Sequence, residues 1–281
     1  MKIKHVWNAF LLAVILGLSA CGSDDDPVEP ELTKITGIEC REEGTSNSWK
    51  MKIEYDSTND NLYKTTFNSV TDGVEKSYSE LYAYNNNTIT VTRFVGTDPD
   101  INRTYVCSGD VIVEERTNSG NSSTGGSGYT YKYLGRELTS MTQTIQGIPP
   151  VVFNYTWDAT GNMTELVYSN NKVRFVYDDL TEQPANFPFK AMKSADLTDK
   201  SLLEPVNLLF SATSRYLPGS AEEIEVGIGE QVGNNKTVKT YSFVYSRVGK
   251  YVTRMVLTVK NEAGAVRRYV YSFAYDSPQA G

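Results

Sequence analysis

The sequence predicts an all-β fold: a long antiparallel meander forming a curled sheet or an incomplete barrel. Two observations carry this. From about residue 33 onward Tyr, Val, Thr and Phe recur at alternate positions, the period of a strand with one buried face. Between these runs lie short Asn-, Asp- and Gly-bearing segments of hairpin type, such as Asn85-Asn86-Asn87, Asp158-Ala159-Thr160-Gly161-Asn162, Ser169-Asn170-Asn171 and Asn261-Glu262-Ala263-Gly264. Roughly fifteen strand candidates follow one another in this way.

The first 20 residues have a different character. Lys2 and Lys4 precede an apolar run from Ala9 to Leu18, too short to span a bilayer as a helix, which takes about 20 residues. The charged, apolar, small-residue order is that of an export signal. The tetrapeptide Leu18-Ser19-Ala20-Cys21 resembles the lipobox of bacterial lipoproteins, which implies cleavage before Cys21 and acylation, including palmitate, on that residue. Residues 21–32 then read as a lipidated Cys and a flexible acidic tether, and 33–281 as one antiparallel β domain. Within the tether, Ser23-Asp24-Asp25-Asp26 resembles the acidic signal that follows the lipid-bearing Cys of surface-exposed Bacteroidota lipoproteins. The resemblance implies an outer-membrane, cell-surface location, with a periplasm-facing anchor as the alternative. Several acyl chains anchor stably at about 0.8 kcal/mol per buried CH₂, so no transmembrane helix is needed.

Composition narrows the chemistry. Loss of Lys2 and Lys4 with the signal takes the formal charge from −7 to −9, a poor balance for nucleic acid. The single histidine, His5, leaves with the signal. The mature domain therefore has no Ser-His-Asp or Cys-His mechanism and no His-ligated zinc site. Neither catalytic residues, metal ligands nor a cofactor fingerprint can be assigned. A carboxylate pair, as in glycosidases, stays open because two acidic side chains suffice. Cys40 and Cys107 both fall in strand-like segments, and two readings stand: a disulfide, as exported proteins form, or two separate thiols packed as small hydrophobes.

The last strands show the expected two faces. Tyr241, Phe243 and Tyr245 align, as do Tyr251, Thr253, Met255, Leu257 and Val259, and then Tyr269, Tyr271, Phe273 and Tyr275. Two segments break the pattern. Residues 118–128 are a polar Ser/Gly loop. Gln183 to Pro218 carries apolar residues at helical spacing, which predicts a short helix or two covering part of the sheet, because an uncovered apolar face invites aggregation.

A strand ending of the form x-x-aromatic-Asp recurs in Ile53-Glu54-Tyr55-Asp56, Tyr155-Thr156-Trp157-Asp158, Phe175-Val176-Tyr177-Asp178 and Phe273-Ala274-Tyr275-Asp276. The unit beginning at Tyr155 is similar to the YD repeat of secreted shell-forming proteins. Together with the lipobox, the tether and the Ser214-Arg215-Tyr216-Leu217-Pro218 segment before the final strands, these units resemble a family of Bacteroidota lipoproteins of unknown function with a porin-like fold. That resemblance covers most of residues 33–276 and implies a curled antiparallel sheet, with no known activity or site residues. Lys and Arg recur on the mixed face, which argues against a transmembrane pore.

Three functions are compatible with these features. The first is a non-catalytic envelope protein, binding or scaffolding, whose partners would be the membrane through its anchor and a glycan or another envelope protein. The second is a carrier of an apolar ligand such as a lipid, which requires an empty apolar cavity. The third is a carboxylate-dependent glycan hydrolase, which requires two acidic groups about 5–9.5 Å apart across a groove. The 19 tyrosines would favour glycan binding only if they formed an exposed row; alternation places most of them in the core.

Overall fold

The computed structural model describes residues 34–276, except 110, 120–125, 179–181, 184–186, 188–196, 199–202, 204–213 and 228–232. Sixteen strands follow in chain order. The first eight are β1 (Ile35–Glu42), β2 (Ser48–Tyr55), β3 (Leu62–Thr71), β4 (Val74–Asn85), β5 (Thr88–Val95), β6 (Asp98–Ser108), β7 (Val111–Ser119) and β8 (Ser127–Leu134). The second eight are β9 (Glu137–Ile145), β10 (Ile148–Trp157), β11 (Met163–Tyr168), β12 (Asn171–Val176), β13 (Ser220–Glu225), β14 (Lys236–Val248), β15 (Tyr251–Asn261) and β16 (Val266–Tyr275). Every strand pairs antiparallel with its sequence neighbours, and β1 pairs with β16, so the meander closes into a complete barrel. At the seam, the Lys34 amide donates to Asp276 Oδ1 at 2.8 Å and the Asp276 amide to the Lys34 carbonyl at 3.0 Å.

The alternation read from the sequence sorts the wall into two faces. Ile38, Met51, Ile53, Phe67, Val91, Leu138, Phe153, Val173, Phe243, Leu257 and Phe273 point inward and are buried. Hairpin residues at positive φ reverse the chain where the sequence placed turns, with Asn86 at 47° and Ser169 at 48°.

The short helix or two expected near 184–218 falls mostly outside the described residues. No α-helix occurs among the described residues of the Gln183–Pro218 segment, although Phe187, Leu197, Leu203 and Leu217 from it are buried in the core, with Phe187 edge-on to Phe273 at 5.0 Å. Pro184, Pro188, Pro205 and Pro218 oppose a continuous helix. A sheet that closes on itself also covers its own apolar face and removes its edges, so it needs no helical cover.

Odd strands begin, and even strands end, at one rim of the barrel, here the near rim, where the chain enters at Ile35. Six odd strands carry a bulge there. Thr36, Tyr63, Val113, Thr139, Thr164 and Thr253 are skipped in the pairing. The inward positions on these strands are consequently three apart, as in Ile35 and Ile38, Leu138 and Met141, and Val252 and Met255. In β15 this brings Val252 into the core, out of the strict alternation that Tyr251 and Thr253 suggest.

Candidate functional site

The recurrent aromatic near the end of each even strand has a structural role at the near rim. Tyr55, Tyr133 and Tyr275 donate through their hydroxyls to the carbonyls of Ile35, Ile112 and Val252, at 3.0, 2.9 and 2.8 Å. Trp157 donates through its indole nitrogen to Leu138, Tyr177 to Met163 and Tyr245 to Pro218, at 2.8, 2.8 and 3.0 Å. Tyr84 is hydrogen-bonded to the backbone of Leu62. A bulge disrupts the local ladder and frees backbone groups; the aromatic of the following strand satisfies one of them. The hairpins of β5–β6 and β13–β14 lack the bulge at this rim: Tyr245 bonds to Pro218, just ahead of β13, and Cys107 stands where the β6 aromatic would be. Burial pushes the hydroxyls of Tyr84 and Tyr177 up to about 12 and those of Tyr55, Tyr133, Tyr245 and Tyr275 higher still. These groups are neutral hydrogen-bond donors, closed off from acid–base chemistry near neutrality.

The aspartate that follows the aromatic caps the turn, as the sequence pattern suggested. Asp158 Oδ1 accepts from the amides of Thr160 and Asn162, both at 2.9 Å, and from the Thr160 hydroxyl at 2.7 Å. Partial desolvation alone would raise this carboxyl, but the combined hydrogen bonds outweigh it and hold the pKa at about 2. Asp56 repeats the arrangement with Thr58.

Deeper inside, the wall carries a buried charged cluster that the sequence did not single out. Glu80 Oε1 accepts from Arg93 Nε and Nη2 at 3.0 and 2.8 Å and from Arg103 Nη2. Its Oε2 accepts from the Tyr82 hydroxyl at 3.3 Å, and the Arg93 guanidinium lies 4.2 Å from the centre of the Tyr78 ring. Glu115, also buried, accepts from the Tyr131 hydroxyl at 2.9 Å. Glu80 is on β4 and Glu115 on β7, so two strands intervene and their backbones lie roughly 14 Å apart along the sheet. Arg93 on β5 and Arg103 on β6, the two intervening strands, both pair with Glu80, an arrangement of structural ion pairing.

Two adjoining concavities indent the outer face. One, of about 490 Å³, runs over β2, β3 and β4 and is lined by Ser48, Lys50, Asn68, Glu75 and Ser77 among others. The other, of about 500 Å³, runs over β16, β1 and β2 and is lined by Gly37, Glu39, Lys50, Lys52, Ser272 and Ala274 among others. Lys50 and Asn68 belong to both, so the two form one furrow across five strands, roughly 19 Å from β16 to β4 at ordinary strand spacing. Lys50 Nζ pairs with Glu39 at 2.9 Å across it, and Lys52 with Glu54 at 2.8 Å. Each half contributes one lining carboxylate, Glu75 or Glu39, so neither half presents an acid pair of its own.

The residues named from sequence are distributed as follows. Cys21 and Ser23, Asp24, Asp25 and Asp26 lie outside the described residues. Cys40 and Cys107 are not joined: both are free thiols, on β1 and β6, with four strands between them in the barrel. Cys40 is buried, which pushes its thiol up to about 12, and Cys107 is half-buried. The tyrosines form no exposed row; only Tyr63 and Tyr84 stand out to solvent, on different faces of adjacent strands. No group of metal-binding side chains occurs among the described residues.

Comparison with known proteins follows the architecture. Two solved structures share it: a porin-like protein from Bacteroides uniformis ATCC 8492 and another from Bacteroides vulgatus ATCC 8482. The first has a TM-score of 0.62 at 12% identity, over 87% of this chain and 99% of that one. The second has a TM-score of 0.58 at 16% identity, with the same coverage. At such identities the likeness is one of fold. No curated protein sequence matches. A family model described as a domain of unknown function, DUF5032, matches residues 22–278. The chain therefore belongs to the DUF5032 family, and its fold is that of a porin-like β-barrel.

Proposed function

We propose that this protein is a lipid-anchored component of the outer membrane, displayed at the cell surface, in which the barrel is a rigid, water-facing, non-catalytic module for binding or scaffolding. The polarity of the barrel wall carries this reading. A membrane-spanning barrel has an outward apolar band and a polar interior. Here the outward positions of the strands bear Lys52, Arg116, Lys132, Arg174, Arg254 and a succession of threonines, while the inward positions are mostly apolar and buried, the paired Glu80, Arg93, Arg103 and Glu115 apart. Each Lys or Arg held at the middle of a bilayer would cost about 2–4 kcal/mol. Attachment then falls to acyl chains on Cys21, and the acidic run Ser23-Asp24-Asp25-Asp26 supports display on the outer leaflet.

The other two readings draw less support. Inward side chains such as Ile38, Leu138, Leu166 and Val173 are inaccessible to water, which leaves those walls no room for a carried lipid. The buried carboxylates are engaged in structural bonds, Glu80 with Arg93 and Arg103 and Glu115 with the Tyr131 hydroxyl, which lends the glycosidase reading less support. The proposed partners are a glycan or another envelope protein.

Metabolic labelling with tritiated palmitate, followed by proteinase K treatment of intact cells, tests the proposal. The wild type is expected to carry label and to be digested. Cys21→Ser is expected to lose the label. A variant with Asp24, Asp25 and Asp26 all replaced by Ala is expected to keep the label and resist digestion. An unlabelled wild-type chain would contradict the anchor, and a labelled but protease-resistant wild type would contradict surface display.

A further inference from the structure

The near rim carries exposed side chains that neither closure of the barrel nor its turns account for. The hairpins β8–β9 and β14–β15 reverse there through Leu134-Gly135-Arg136 and Val248-Gly249-Lys250, with the glycines at φ of 62° and 54°. The glycine serves the turn, because such two-residue hairpins need positive φ. The aliphatic before it does not. Asn85 holds the same place in the β4–β5 hairpin and Ser108 in the β6–β7 hairpin, so the geometry accepts polar side chains. Leu134 is nevertheless 73% exposed and Val248 53% exposed, and each stands two residues before an exposed cation, Arg136 or Lys250. Glu137, opposite Leu134 in the pairing, is half-buried. On β3, Tyr63 is 51% exposed at the same rim.

These three points are spread evenly round the ring. Four strands lie between β3 and β8, five between β8 and β14, and four between β14 and β3. Neighbouring points are therefore roughly 24–29 Å apart along the wall at ordinary strand spacing. A small ligand cannot touch all three, whereas an extended flat surface can. Their chemistry is that of a bilayer interface: aliphatic tips for the acyl region, a tyrosine for the headgroup level and cations for anionic headgroups. The far rim differs. Its exposed Val74 and Val95 stand beside Asp72 and Asp98, and no aromatic is exposed there among the described residues. At the near rim Asp56 and Asp158 accept hydrogen bonds within their own turns, and Asp60 pairs with Lys34. The path of the chain selects the same rim. Lys34 leads into β1 there, thirteen residues after Cys21. Such a stretch reaches at most about 45 Å, so an acyl anchor on Cys21 keeps this rim close to the bilayer.

We infer that the near rim rests on the bilayer to which the chain is anchored, with Leu134 and Val248 dipping into the interface, Tyr63 at the headgroup level, and Arg136 and Lys250 on anionic headgroups. The far rim is then the end held out from the membrane. This deepens the proposed function and rests on the acylation of Cys21, because contacts this small hold the barrel only while acyl chains keep it at the surface. The test reconstitutes the acylated full-length protein in vesicles of equimolar phosphatidylcholine and phosphatidylglycerol, with or without brominated acyl chains, and introduces tryptophan at single positions. Leu134→Trp and Val248→Trp are each expected to lose at least half of the added emission on bromination. Val74→Trp and Val95→Trp, at the far rim, are expected to lose none beyond the wild type. Adding Arg136→Glu and Lys250→Glu together to either near-rim variant is expected to reduce the loss at least twofold. Vesicle-bound protein in which either near-rim tryptophan escapes quenching, or in which the far-rim tryptophans are quenched as strongly, would overturn the inference alone. Protein that fails to float with the vesicles would remove the anchor and the inference with it, so the two failures read differently.

Discussion

At the scale of single residues, the barrel is fastened by side chains that couple one hairpin to its own backbone. The phenol of Tyr133 is half-buried and has one acceptor, the Ile112 carbonyl, so Tyr133→Phe removes a hydrogen bond and little else. The expected cost is about 1 kcal/mol, read as a lower urea midpoint with unchanged slope. Tyr275→Phe should behave alike, with the Val252 carbonyl left bare at the seam strand. The aromatic-Asp ending was legible in the sequence because both residues are of types that act locally: the aromatic packs and the carboxylate caps. That its hydroxyl reaches back to the preceding strand was not legible, because the acceptor is a bulged carbonyl and bulges leave no residue-type signature when the skipped residue is a threonine. For Cys107 the sequence left a disulfide and a separate packed thiol both open; it is a free thiol, at one of the aromatic places of the rim.

At the scale of elements, the β4–β7 stretch holds a buried carboxylate, Glu80, whose loss should be severe. Glu80 takes hydrogen bonds from two guanidiniums, so Glu80→Ala leaves Arg93 and Arg103 facing each other within the wall. The expected destabilisation is about 3–5 kcal/mol, the range for breaking a buried ion pair by removing one partner. Chemical denaturation measures it, and a loss below 1 kcal/mol would show the cluster to be solvated. Sequence alternation placed Glu80, Arg93 and Arg103 on inward positions only if the register was already known. Without that register, a charged residue in a strand reads as outward. The segment from Gln183 to Pro218, whose spaced leucines suggested a helix, lies mostly outside the described residues. Its described anchors, Phe187, Leu197, Leu203 and Leu217, are buried in the core.

At the scale of the whole molecule, alternation and turn chemistry make the meander legible, but closure is a long-range event. Pairing of β1 with β16 joins residues about as distant in sequence as the domain permits, and no local pattern announces it. Closure has a consequence in alkaline solution. The buried phenols and the Cys40 thiol have folded pKa values above their unfolded ones, with Tyr84, Tyr177 and Cys40 at about 12. Unfolded cysteine and tyrosine ionise near about 8.5 and 10. The folded state therefore holds more protons between these values and about 12, and its stability falls as pH rises. The contribution is complete below about pH 8.5, declines above it and steepens beyond pH 10. Phenolate absorbance at 295 nm is expected to rise together with loss of the β-sheet circular dichroism signal. Full ionisation of the rim tyrosines in a barrel that keeps its circular dichroism would show that the near rim is open to solvent.

The wall is charged and hydroxylated outside and mostly apolar within, its buried charges paired with one another. The most direct test of this polarity is the behaviour of the barrel without its anchor. Cys21→Ala, which removes the thiol that acyl chains require, should yield a folded barrel that stays soluble without detergent, fractionates away from membranes and conducts no ions across a planar bilayer. A Cys21→Ala protein that still extracts only with detergent and forms conducting channels would contradict it.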